Sequence, residues 1–350
     1  MKYNVLGNTG VLVSELCFGT MTFGGEGFWK AIGQQQQDEA DELLKIAYDS
    51  GINFIDTANV YSFGQSEEIL GNSIDNLDID PDELFIATKV RGAMSESPNN
   101  QGLSRYHIFN SVEQSLERMD LEQIDLLYVH GVDHIMPIRE IMRSLNDVVE
   151  SEMVRYVGVC NWPAWMVAKA QGIARKEGWH EFNALQYYYS LAARDIEEEL
   201  IPMAQDENLP LMPWSPLSGG YLAGKYDRES GKAGEGARRN DFDFPPVHKD
   251  LVFDVIDELK AIGENHNVSP AEVALAWLRH QQPVTSTIIG AKNVEQLKSN
   301  IHSVEIDLSA DELTRLNEAS ALPVRYPKWM VDFQSSSRFP SDKTEEENEE

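Results

Sequence analysis

Eight short apolar segments, separated by stretches of helical periodicity, most constrain what this chain can become. They are 16–19, 53–56, 84–88, 124–129, 156–159, 184–186, 209–213 and 286–289. Most are near-continuous rather than alternating, the pattern of strands covered on both faces. Between them, Ala40, Leu43, Leu44 and Ala47 share one helical face, as do Ile108, Val112, Leu116 and Met119. Ser269-Pro270-Ala271-Glu272 is a capping box with proline at the first helical position, and Ser309-Ala310-Asp311-Glu312 repeats the box. Buried strands alternating with helices predict βα units and a parallel sheet. Ahead of them, Tyr3–Leu6 and Val11–Val13 flank the turn-rich Gly7-Asn8-Thr9-Gly10, which reads as a hairpin.

A length of 350 residues allows one large domain or two ordinary ones. An α/β barrel needs roughly 250 residues, so one domain suffices. Only Cys17 and Cys160 are present, which excludes a disulfide scaffold and suits reduced thiols. The start has no apolar signal core, and no apolar run approaches the roughly 20 residues of a membrane helix. A cytoplasmic protein without membrane contact is expected. The net charge of -29 argues against a nucleic-acid partner, because phosphate contacts need Lys and Arg. Carboxylates spread through most helices also suit high salt, where screening relieves their repulsion, so a halophilic protein is expected. Residues 227–247, rich in Gly and charge, are too long for an ordinary connection. The acidic end, Ser341 to Glu350, is expected to be disordered.

Four residues at or just past the ends of these runs fit one chemical task. Asp56 closes the second run, Lys89 follows the third, His130 follows the fourth, and Tyr61 lies in the loop after Asp56. A barrel of parallel strands gathers strand C-termini on one face, where such residues can meet. A tyrosine beside a lysine ammonium can protonate a carbonyl oxygen, with the lysine lowering the phenol pKa and a carboxylate holding the lysine. A nearby histidine can donate to the same oxygen or relay the proton. Taken singly, such residues are usually structural; their placement at successive strand ends is what points to catalysis.

The stretch from Gly51 through Asp56-Thr57-Ala58-Asn59-Val60-Tyr61 to Gly64-Gln65-Ser66-Glu67 and Gly71 resembles the aldo-keto reductase family, and the likeness runs from about Val5 to about Ala319. The resemblance implies an α/β fold, a (β/α)8 barrel with the hairpin plugging its bottom, over 1–330, followed by 331–350 as a C-terminal segment. It implies hydride transfer between a nicotinamide cofactor, NADP with NAD as the alternative, and an aldehyde, ketone or alcohol. Tyr61, Asp56, Lys89 and His130 would be catalytic. The cofactor would be held by Gly19, Thr20, Met21, Asp56, Cys160, Asn161, Gln186, Trp214, Ser215, Pro216, Leu217, Gly219, Lys225, Gly290, Ala291, Lys292, Gln296 and Asn300. In Val157-Gly158-Val159-Cys160-Asn161, Cys160 replaces the family's serine, and a thiol is a weak donor. Trp214 would stack on the nicotinamide, and Lys292 would face a 2′-phosphate at a strand end leading into a helix.

The alternative reading is a cofactor-sensing regulatory subunit on the same barrel. His130 and His134 lie four apart without an evident third ligand, so no metal is expected. Phe23, Phe28, Trp29, Tyr128, Trp162 and Tyr188, with Tyr326 to Met330, are expected to line an aromatic mouth for a small-molecule substrate.

Overall fold

Eight parallel strands form a nearly closed barrel in the computed structural model, which describes residues 1–25, 27–226, 228, 239 and 242–335. They are β3 (Leu16–Gly19), β4 (Phe54–Asp56), β5 (Phe85–Val90), β6 (Ile124–Val129), β7 (Val154–Cys160), β8 (Ala184–Tyr188), β9 (Leu211–Trp214) and β10 (Thr287–Ile289). Their order is β10-β3-β4-β5-β6-β7-β8-β9. A bridge between Leu211 and Val284 brings the first residue of β9 beside the approach to β10, leaving almost no free edge. Each expected strand is present, with ends shifted by a residue or two. The antiparallel hairpin is present too, as β1 (Tyr3–Val5) and β2 (Leu12–Ser14). Leu6 and Val13 are fully buried against Cys17, Phe54 and Phe85 inside the barrel, so the hairpin plugs its bottom.

Alternation along each strand divides the core into two shells. Inward positions carry Cys17, Phe54, Phe85, Ala87, Leu126, Tyr128, Cys160, Ala184 and Met212. Outward positions such as Ile55, Ile86, Leu127, Val159 and Leu185 pack against the surrounding helices. Helices α1 (Gln37–Asp49) and α3 (Arg105–Met119), with α2 (Gln65–Asn76) between them in the chain, bury the two predicted apolar faces, except that Leu116 is only partly buried. Both capping boxes close as expected, starting helices Pro270–Arg279 and Ala310–Ala319. Gly158 is needed for the inner packing: a Cβ there would sit 2.6 Å from the Tyr128 ring.

Met1–Ser320 form one compact unit. The second unit, Ala321–Glu350, contains the short helix Lys328–Ser335 with a Lys328–Asp332 ion pair at 3.0 Å. The acidic end lies outside the described residues, as does most of 227–247. Of that second segment, Arg239 is described and buried: its guanidinium donates to the carbonyls of Ser218 and Pro245. Among the described residues, no helix is long and apolar enough to cross a membrane.

Candidate active site

The inward positions at the C-terminal ends of β4 and β5 bring together three of the four expected catalytic residues. Lys89 is fully buried, and its Nζ donates to Asp56 Oδ2 at 2.5 Å, to the Thr57 carbonyl at 2.7 Å and to the Tyr61 hydroxyl at 3.3 Å. Asp56 also accepts from Gln186 Nε2 at 2.7 Å, across the barrel on β8. The fourth, His130, follows β6 and sets its ring edge-on to Tyr61, centroids 5.9 Å apart. Trp29 packs edge-on to Tyr61 from the opposite loop at 5.4 Å.

Tyr61 is placed by a tight turn. Ser62, Phe63 and Gly64 follow it with φ of 48°, 55° and 101°. For the two non-glycine residues this conformation costs about 1–3 kcal/mol each and persists only where surroundings fix it. Ser62 supplies that fixing: its hydroxyl donates to the Phe23 carbonyl at 3.1 Å and accepts from Gly25 N–H at 2.9 Å. Beside the turn, buried Glu67 accepts from Thr88 Oγ1 at 2.5 Å and from Arg118 Nε at 2.7 Å. Arg118 approaches so closely that a Cβ on Gly64 would lie 2.8 Å from its Cδ.

The electrostatics correct one expectation. Burial raises the Tyr61 phenol above its ordinary pKa, and the opposing pull of Lys89 only offsets part of that. Burial alone would lower Lys89, but Asp56 and Tyr61 outweigh it and hold the ammonium charged. Burial pulls Asp56 upward against Lys89 and Gln186. The direction that governs this pair is the retention of charge on Lys89, because both Asp56 oxygens have donors at 2.7 Å or less. Packing around the His130 ring, with Lys89 and Arg91 nearby, pushes it down to about 3, so it is neutral near pH 7 although its residue keeps some exposure.

The remaining expected site residues divide by exposure. Asn161, Lys225, Gly290, Lys292 and Gln296 are exposed, and Met21, Trp214, Ser215, Leu217 and Gly219 are partly so, around the strand C-termini. Asn161 Oδ1 accepts from Trp214 Nε1 at 3.1 Å. Gly19, Thr20, Cys160, Pro216, Ala291 and Asn300 are buried. Thr20 Oγ1 is bonded to Ser66, and Asn300 Nδ2 donates to the Gly290 carbonyl at 3.1 Å, so these side chains support the rim. Cys160 points into the barrel, and burial pushes its thiol pKa upward. Gln296 starts helix Val294–His302: its N–H donates to the capping Asn293, and its Oε1 accepts from Lys292 N–H at 3.0 Å.

Only part of the expected aromatic mouth is built from the residues named from sequence. Phe23, Tyr128 and Trp162 are fully buried, because they fall on core-facing positions. The rings that do connect across the mouth are Trp29, Phe28, Phe242, Phe244, Trp214 and Tyr188, each within 5.0–6.0 Å of the next. Phe242 and Phe244 escaped the sequence reading because they sit in the long segment after β9, where no periodicity assigns a direction. Among the described residues, no three His, Cys, Asp or Glu side chains group as metal ligands.

Comparison with known proteins gives a consistent result. A model of the Aldo/keto reductase family matches residues 15–321. A norsolorinic acid reductase of Emericella nidulans is 35% identical over 342 residues, covering 96% of this chain and 85% of its own. A versiconal hemiacetal acetate reductase of Aspergillus parasiticus is 34% identical over 345 residues, covering 91% and 96%. An aryl-alcohol dehydrogenase of Pestalotiopsis microspora is 32% identical over 338 residues, covering 95% and 85%.

Proposed function

We propose, from the premise that this chain belongs to the aldo/keto reductase family, that it reduces an aldehyde or ketone to an alcohol, or runs the reverse, with Tyr61 as general acid or base. The observation that carries this is the buried Asp56–Lys89 pair, whose ammonium lies 3.3 Å from the Tyr61 hydroxyl. In reduction, Tyr61 gives its proton to the carbonyl oxygen, and the phenolate left behind faces the Lys89 charge. A raised phenol pKa keeps Tyr61 protonated at neutral pH, as an acid must be. Neutral His130 can donate from one ring nitrogen to the same oxygen.

A nicotinamide dinucleotide, when bound, would supply the hydride. The residues fit such a group: amide and indole groups of Asn161 and Trp214 lie at the rim, and a capped helix N-terminus beside Lys292 suits phosphate. The Cys160 thiol supplies only a weak donor there, so Asn161 and Gln186 carry most of the hydrogen bonding to the carboxamide. We read the cofactor as NADP, with Lys292 facing the 2′-phosphate. Lys292→Glu should weaken NADPH binding more than NADH, since only NADPH has that phosphate to repel. Dissociation constants for both, from fluorescence quenching, check this; equal changes would place Lys292 elsewhere.

The connected rings at the mouth favour a substrate with an aromatic face, in keeping with the relative named as an aryl-alcohol dehydrogenase. A regulatory role gains nothing from the relatives named above, each of which is a reductase or dehydrogenase. The functional reading is tested by coupled NADPH and NADH oxidation over aliphatic, sugar and aryl carbonyls, in dilute buffer and in molar KCl. Carbonyl-dependent oxidation supports it; a panel with none defeats it.

Salt enters through the charge of -29. The Debye length falls from about 30 Å at 0.01 M to about 3 Å at 1 M, which screens like-charge repulsion over the folded surface. The melting temperature should therefore climb through the molar range of KCl or NaCl, with activity low in dilute buffer. Thermal unfolding against salt decides it, and a flat curve would mean the charge serves ordinary solubility.

A further inference from the structure

Asp56 is gripped at both oxygens: Lys89 takes Oδ2 at 2.5 Å and Gln186 takes Oδ1 at 2.7 Å. Gln186 is buried at 3% exposure and reaches inward from β8, on the far side of the barrel from β4. The resemblance gives Gln186 to the cofactor, yet one of its amide hydrogens is already committed to the carboxylate. The carboxamide keeps a second N–H and its oxygen for other partners. Beside it, the fully buried Tyr128 hydroxyl lies within reach of the Gln186 side chain, which opposes the upward pull of burial on that phenol.

We infer that Gln186 is a positioning residue for the proton-donating pair, fixing Asp56 and through it the seat of Lys89 below Tyr61. This rests on the proposed carbonyl chemistry for its purpose, but not for its test. A carboxylate held at one oxygen only can rotate about its Cβ–Cγ bond and carry the ammonium with it. Held at both, it cannot. The donor at Oδ1 also favours the ionised form of a carboxylate that burial would otherwise neutralise. A neutral Asp56 would no longer balance Lys89. Gln186 thus maintains the charge that faces the Tyr61 oxygen without itself touching that oxygen.

The test uses the full chain, free of cofactor, with aspartate labelled at Cγ with carbon-13 and titrated by NMR; Asp56→Asn assigns the signal. Gln186→Met, close in shape but without the donor, should raise the Asp56 midpoint by about one unit. Where turnover is measurable, the acid limb of the kcat profile should move up in step. Should that variant not fold, Gln186→Asn withdraws the donor by one methylene and is read in the same way. An unmoved Asp56 midpoint in a folded variant overturns the inference, including the case where NADPH affinity alone falls, which would assign Gln186 to the cofactor only. If wild type turns over no carbonyl, the functional reading fails while the NMR midpoint still decides this one.

Discussion

Tyr61→Phe should lower turnover by about 10²–10⁴-fold while cofactor affinity stays close to that of wild type. The hydroxyl is the group lost, and it lies 3.3 Å from the Lys89 ammonium. The ring itself remains, so its edge contacts with Trp29 and His130 persist and the pocket keeps its shape. His130 is not an effective substitute acid, because its pKa, down to about 3, leaves it neutral and reluctant to give up a proton near pH 7. Steady-state kinetics at saturating NADPH, with a fluorescence titration of the same variant, separate loss of chemistry from loss of binding. Near-normal turnover would remove Tyr61 from its role.

The largest effect on stability is expected from Lys89→Met. Lys89 has no exposure and Asp56 has 2%, so deleting the ammonium strands a buried carboxylate. Breaking such a pair by removing one partner costs about 3–5 kcal/mol, a large share of the roughly 5–15 kcal/mol that holds a domain folded. Removing the second charge as well should restore part of the loss. Lys89→Met with Asp56→Asn is therefore expected to be more stable than Lys89→Met alone, and the non-additivity measures the coupling. Urea unfolding of the four proteins in molar salt gives the cycle. A single variant as stable as wild type, or a double variant no better than the single, would contradict a charged pair at this position.

Much of this was readable before any coordinates. Strands 16–19 through 286–289 announced themselves because a strand buried on both faces must be apolar throughout, and their ends located Asp56, Lys89 and His130. Tyr61 was legible from the residues around it, and its left-handed turn was not, since Ser62 and Phe63 carry no mark of positive φ. The sign of the Tyr61 shift needed depth of burial, which a neighbouring lysine in the sequence does not report. Gln186 bonding to Asp56 required the barrel to close, because β4 and β8 touch only across its interior. Tyr128 and Trp162 misled for the opposite reason: aromatic residues next to a site are also what a barrel core is built from.

Direct reduction of a carbonyl at the Asp56–Lys89–Tyr61 face is tested by isotope transfer. The enzyme is incubated in molar KCl with an aryl aldehyde and NADPH stereospecifically deuterated at C4, using each epimer in turn. Deuterium is expected on the carbinol carbon of the alcohol from one epimer and not from the other, with Tyr61→Phe slowing its appearance. Alcohol formed without deuterium from either epimer, or at an undiminished rate in Tyr61→Phe, would contradict it.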